Sequence, residues 1–292
     1  MNLVELQAKF SNGRKCRKYL EKMRWPNGVA CPRCGSQTIS RLEKYHRFEC
    51  ADCEYQFSVT SGTIMHRTRL PLCKWLIAIH LVSESKKGIS AKQLERHLGV
   101  TYKTAWYLSH RIRNAMTSDS VEDKLAGVLE VDETYVGGKD DTPGRPGKGS
   151  NKQAVLGIVE RDGRVKCKAV PGVSGRDIFE FIDGSIARDA VEVIYSDEWG
   201  GYNVLKGYVP HEKINHQISY VEGDVHTNSI ESFWSLLKRG IMGAFHHVSI
   251  KHLPRYLNEF SWRFNERENG DIFDAVLRNV ERPHVRYADM VG

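Results

Sequence analysis

The 292-residue chain predicts an α/β fold, a mixed sheet flanked by helices, preceded by a small zinc ribbon and a helix-turn-helix. Three observations predict this order: two CxxC pairs near the amino end, two helix patterns joined by a glycine turn, and strands interleaved with helices beyond residue 121. At roughly 150 residues per domain, the length fits two folding units. The expected divisions are 1–65 for the amino segment with its ribbon, 66–120 for the helix-turn-helix and 121–292 for the α/β domain.

A hydrophobic fraction of 40% excludes a disordered tail protein. The longest apolar run of the amino half, Trp75 to Ile79 with Leu81 and Val82 beyond His80, falls far short of the roughly 20 residues that span a bilayer. No membrane partner is expected. Met1 to Glu5 do not open a basic-then-apolar leader, so the expected location is cytoplasmic. The formal charge of +7 is unevenly placed: residues 1–120 carry 21 Lys and Arg against 9 Asp and Glu, whereas 121–292 carry 22 against 27. A basic module before an acidic one is the electrostatic footprint of polyanion binding, with nucleic acid the commonest partner.

Seven cysteines form no even-numbered disulfide framework, but four are patterned. Cys31 and Cys34, then Cys50 and Cys53, make two knuckles at the spacing of a four-thiolate zinc site, with short strand-like runs over Tyr45–Glu49 and Tyr55–Val59. Such a closed site staples the fold and leaves no open position for catalysis. Cys16, Cys73 and Cys167 belong to no motif and are expected as buried thiols. Next, Leu72 to Ser83 reads as an apolar helix. Ser90 with Gln93 forms a capping box for a helix over Ala91–Leu98, and Thr101 caps a third beyond Gly99. On that third helix Ala105, Trp106, Leu108 and Ile112 are assigned inward, and Lys103, His110, Arg111 and Arg113 to solvent. A basic second helix after a tight turn is the helix-turn-helix arrangement for a DNA major groove.

In the acidic half Val128–Val136, Ala154–Val159 and Val165–Val170 read as strands, the last two joined by a hairpin at Arg161–Arg164. A helix capped by Ser174 runs to Ile186, Val191–Tyr195 is a fourth strand and Lys213–Tyr220 a fifth. Helices follow over Thr227–Ile241, Leu253–Glu266 and Ile272–Val280. Asp132 lies inside an apolar strand, where an ionised carboxylate is costly unless paired or cation-bound. Asp197 closes another strand, the end at which α/β sheets place ligands. On the helix from Thr227, helical spacing sets Asn228, Glu231, Ser235 and Lys238 beside the apolar stripe of Ile230, Trp234, Leu237 and Ile241. Singly each acid reads as a solvated group; together they form a possible pocket for two hard cations. Trp199 and Trp234 are expected as core aromatics near it.

At these residues the chain resembles the bacterial insertion-sequence transposases of the DDE type, which have a ribonuclease H-like catalytic domain. The resemblance runs from about Cys31 to Glu281 and is carried by the order of modules, by Val131 to Gly138, by Tyr195 to Trp199, and by His226 to Arg239. It implies that Asp132, Asp197 and Glu231 hold two Mg2+ or Mn2+ ions, and that the zinc is structural. The steps of 34 from Asp197 to Glu231 and 7 to Lys238 fit the family pattern. Related groups place an asparagine third, and Asn228 lies one turn before Glu231. Glu231 is preferred because a carboxylate neutralises a divalent ion. The implied reaction is strand cleavage and joining, with Lys238 on a phosphate near the scissile bond. Double-stranded DNA is the implied partner, as terminal inverted repeats and as target, and pairing two ends implies a homodimer or larger assembly. Lys139, Arg145, Lys148 and Lys152 could close over DNA, and His246 and His247 could touch its backbone. A transcription regulator with a non-catalytic carboxy-terminal domain, or a structure-specific nuclease, would share parts of this pattern.

Overall fold

The computed structural model describes residues 1–117, 124–137, 152–214, 227–282 and 285–291. Lys139, Arg145, Lys148, His226 and most of the expected fifth strand lie outside these residues. The chain forms two compact units, one of Met1–Met116 with Asn269–Gly292 and one of Thr117–Glu268. The sheet unit thus ends at Glu268, and the last 24 residues fold with the amino-terminal unit.

The first unit opens with two helices that the sequence reading omitted, α1 (Leu3–Lys9) and α2 (Gly13–Arg24), each started by an asparagine that accepts a backbone N–H. The ribbon follows as an antiparallel sheet in the order β1 (Ile39–Leu42), β2 (Arg47–Cys50), β3 (Gln56–Phe57). β2 starts two residues after its expected Tyr45 because Glu43–Tyr45 winds into a 3-10 turn that ends with His46 in the left-handed region. Phe48 and Phe57 fill the ribbon core with Cys31 and Cys50, and the Trp25 ring meets both phenyl rings edge-on at 5.4 and 5.9 Å.

Helices α3 (Leu72–Glu84), α4 (Ala91–Leu98) and α5 (Tyr102–Ala115) stand where the sequence places them, with the capping box of Ser90 and Gln93 formed. Gly99 ends α4 at φ 56°, the left-handed conformation that a tight turn needs. One expectation is corrected: of the four cationic or imidazole side chains assigned to solvent on α5, only Lys103 is exposed, while His110, Arg111 and Arg113 are buried. The Arg111 guanidinium lies 5.1 Å from the Trp75 ring and 5.2 Å from the Tyr107 ring and donates to the His66 carbonyl at 2.7 Å. Aromatic faces and a carbonyl therefore surround a cation that helical periodicity alone assigns to water.

The second unit is a five-stranded mixed sheet in the order β6-β5-β4-β7-β8. β4 (Leu125–Gly137), β5 (Lys152–Glu160) and β6 (Val165–Val170) are antiparallel neighbours, while β7 (Ile186–Ser196) and β8 (His211–Lys213) add in parallel. This is the mixed sheet flanked by helices that the sequence predicts. Asp162 (φ 56°) and Gly163 make the hairpin turn between β5 and β6. α6 (Gly175–Ser185) ends one residue before Ile186, which opens β7; the intervening Ala187–Ala190 is polar or small and mostly exposed, so it lacks the apolar run of a central strand.

Strand alternation gives the sheet two apolar faces. Leu129, Val131, Leu156 and Ile158 pack with α6, whereas Val155 and Val159 pack with α7 (Asn228–Gly240) and α8 (Leu253–Asn265). In the first unit α9 (Ile272–Arg278) returns to α2 and α3, burying Phe273, Val276 and Leu277, and the Ile64 N–H donates to the Val280 carbonyl at 3.0 Å. α10 (Tyr287–Val291) brings the Tyr287 ring edge-on to Tyr107 at 5.7 Å. Among the described residues no helix is long and apolar enough to cross a membrane.

Candidate active site

β4 and β7 run parallel with Glu130 opposite Tyr195, so the acids two residues further on, Asp132 within β4 and Asp197 just past β7, lie side by side where the pairing of the two strands stops. One carboxylate oxygen each of Asp132, Glu133 and Asp197 lies within 4.8 Å of the others, and all three side chains are half-buried. Glu133 was missed in the sequence, although an acid beside Asp132 in the same apolar strand is the signal that finds it. Neighbours on a strand point to opposite faces, and their partners follow: Asp132 accepts from Trp234 Nε1 on α7 at 3.0 Å, and Glu133 accepts from the Tyr202 hydroxyl at 2.7 Å. Tyr202 sits in a 3-10 turn, Gly200–Leu205, that follows Asp197, whose Oδ1 accepts the Trp199 N–H at 3.0 Å.

Crowding shows in the protonation of these groups. Burial, with the nearby charges of Glu133 and Asp197, pushes the Asp132 carboxyl up to about 7. Burial raises Glu133 as well, with Asp197 adding to it against the lowering hydrogen bond from Tyr202, and burial beside Glu133 raises Tyr202. Three oxygen donors whose negative charge is unfavourable in each other's presence suit a hard divalent cation, which would relieve that repulsion.

Helix α7 is held close over this strand end. Gly157 on β5, opposite Asp132, leaves room for Trp234, since a Cβ there would lie 2.5 Å from the indole ring. Trp234 is buried as expected, but Trp199 is 46% exposed, its indole N–H reaching the Val173 carbonyl at the surface. The first turn of α7 carries Asn228 and Glu231, both exposed, with Thr227 Oγ1 3.3 Å from Glu231 Oε1. Neither belongs to the converged acids. Lys238 is exposed in the last turn of α7, and seven residues at 1.5 Å rise put it about 10 Å along the axis from Glu231.

In the other unit Cys31, Cys34, Cys50 and Cys53 gather their sulfurs within 4.8 Å. The Sγ–Sγ distances of 3.7 Å (Cys31–Cys53) and 3.6 Å (Cys34–Cys50) are far too long for disulfides and match the edge of a tetrahedron with Zn–S bonds of about 2.3 Å. Both knuckles turn back through left-handed residues, Gly35 (φ 77°) and Glu54 (φ 55°), whose N–H groups donate to the Cys31 and Cys50 carbonyls. Burial pushes the Cys31 thiol up, but N–H groups of Arg33 and Cys34 outweigh it and bring it to about 7, favouring the thiolate that a metal binds.

Residues 124–265 match the ISXO2-like transposase domain, and residues 11–56 match a transposase zinc-ribbon domain. The chain belongs to the insertion-sequence transposases of the DDE type. A protein in the transposable element ISH50 of Halobacterium salinarum is 27% identical over 87% of this chain and 91% of its own length. A transposase-like protein of Haemophilus influenzae is 31% identical over 36% of this chain and 86% of its own. A solved pre-cleavage Mos1 transpososome aligns over 71% of this chain and 79% of that one, with 10% identity and a TM-score of 0.28. In this transposase the matched catalytic domain contains Asp132, Glu133, Asp197, Asn228, Glu231 and Lys238, and the matched ribbon contains the four clustered cysteines.

Proposed function

We propose that this transposase binds the terminal inverted repeats of its insertion sequence as duplex DNA and catalyses cleavage and strand transfer with two Mg2+ or Mn2+ ions. The observation that carries the reading is the convergence of Asp132 and Glu133, within β4, with Asp197, just past the end of the parallel strand β7. Divalent cations held there would supply Lewis acidity at the scissile phosphate, favouring in-line attack by water or a 3′-hydroxyl and stabilising the departing oxygen. Asp132 and Asp197 are the primary ligands, and Glu133 stands ready as a further oxygen donor. Glu231, exposed in the first turn of α7 outside the converged acids, is the third carboxylate that the resemblance implies, at the position where related groups place an asparagine and with Asn228 one turn before it. Trp234 fixes the Asp132 carboxylate through its indole N–H, and Lys238 meets a DNA phosphate as a point charge. The zinc ribbon and the helices around Gly99 supply duplex contacts, and a dimer or larger assembly pairs two ends.

The test is purified protein with Mg2+ or Mn2+ and a linear duplex carrying the element's own ends. Strand joining is expected; cleavage alone marks a nuclease, and binding without either marks a regulator. Asp132→Asn and Asp197→Asn are each expected to reduce cleavage at least a thousandfold, about 4 kcal/mol of barrier, while end binding stays within twofold of the native protein. Cleavage that persists in either variant rejects the assignment.

A further inference from the structure

Two residues before Asp132 on the same face of β4 lies Glu130, an acid with no exposed surface and no part in the proposed cation site. Its carboxylate accepts the backbone N–H of Ser229 at 2.8 Å, that of Ile230 at 3.1 Å and the Ser229 hydroxyl at 3.1 Å. These are donors of the first turn of α7, whose own N-cap residue, Thr227, makes no side-chain cap. Glu130 therefore caps α7 from another element, where a carboxylate also meets the positive end of the helix dipole. Arg161 balances the charge, its Nε 3.1 Å from Glu130 Oε1. The same guanidinium lies 4.6 Å from the ring of Tyr195 on β7, and the Arg161 N–H donates to the Val128 carbonyl at 3.0 Å.

The geometry points to Glu130 as a positioning residue for the cation site: with Arg161 it ties β4 and β7, which bring the converged acids together, to α7, which carries Trp234 against Asp132 and the exposed Glu231. The spacing supports this in each element. Glu130 is two residues from Asp132, Tyr195 two from Asp197, and Ser229 and Ile230 lie between Asn228 and Glu231. The linkage sits one strand repeat below the acids, so it sets their separation without touching a cation. A helix cap of purely structural value has no need of a buried ion pair reaching a third element, because serine, threonine or asparagine at the helix start does that work locally.

This inference rests on reading the acids as a cation site, and the experiment separates the two. Zinc-loaded native protein, Glu130→Gln and Asp132→Asn are titrated with Mn2+ by calorimetry in the absence of DNA, and amide exchange is followed over residues 227–240. Glu130→Gln is expected to weaken Mn2+ binding about tenfold, the scale of outer-shell substitutions. It should speed exchange at Ser229 and Ile230 while the carboxy-terminal half of α7 stays protected. Mn2+ binding within twofold of native, whatever the exchange, overturns the inference. Should Glu130→Gln fail to fold, Ser229→Ala removes one donor and is expected to weaken Mn2+ binding in the same direction; native affinity there overturns it equally. If Asp132→Asn binds Mn2+ as the native protein does, the reading of the site fails instead.

Discussion

At Asp132 the cost of gathering negative charge is measurable without DNA. A carboxyl near 3.9 in an unfolded chain is raised to about 7 in the fold, so the folded protein without divalent ions holds this proton more tightly than the unfolded one. The stability from this group is complete below about pH 4 and is lost as pH rises through about 7. Thermal melts in chelex-treated buffer should therefore show Tm falling between pH 5 and pH 8. The fall should flatten in Asp132→Asn, and millimolar Mn2+ should restore the native Tm at pH 8. A variant whose Tm falls as steeply as the native protein's would show that the titration lies elsewhere. Glu133 and Tyr202 move with it, since burial and shared charge raise both.

Helix α7 meets the sheet through a contact only glycine permits. An added Cβ at Gly157 would sit 2.5 Å from the Trp234 ring and 3.1 Å from Ile230 Cδ1, and Trp234 cannot easily retreat while it is buried and bonded to Asp132. Gly157→Ala should cost about 1–3 kcal/mol by overpacking and impair cleavage more than DNA binding; a native Tm with native cleavage would refute the close docking. The ribbon depends on its metal in a comparable way. With a core of few apolar side chains, it should lose its β structure under a zinc chelator, read as loss of amide protection over residues 31–57, and regain it with Zn2+. These elements were unequally legible. The central strands and α3–α5 follow apolar periodicity and caps, and the four cysteines announce themselves by spacing. Glu133, Glu130 and the burial of Arg111 escaped because each depends on partners remote in sequence: Tyr202, the α7 amides, and the Trp75 ring with the His66 carbonyl. Periodicity places a charged side chain on a face but says nothing of what covers that face.

Across the whole chain, the least legible feature is the return of residues 269–292 to the amino-terminal unit. The sequence suggests a carboxy-terminal helix continuing the α/β domain, since Ile272–Val280 has the same amphipathic pattern as α7 and α8; pattern alone carries no address. The contacts supply it. Phe273, Val276, Leu277 and Val280 are buried, the Tyr19 hydroxyl donates to Asp274, Arg24 pairs with Glu281, and the Asn279 amide donates to the Ala115 carbonyl. At about 1.5–3 kcal/mol for each fully buried large apolar side chain, this burial is the favourable term that offsets the entropy of ordering the segment against the amino-terminal unit. The sheet unit, Thr117–Glu268, has helices of its own, α6, α7 and α8, packed on its two faces. Deleting residues 269–292 should therefore remove amide-exchange protection from α3 and α5 while β4, β5 and β7 stay protected. Protection kept in both sets of elements would show that the amino-terminal unit stands without its carboxy-terminal helices, and protection lost in both would show that the two units fold as one.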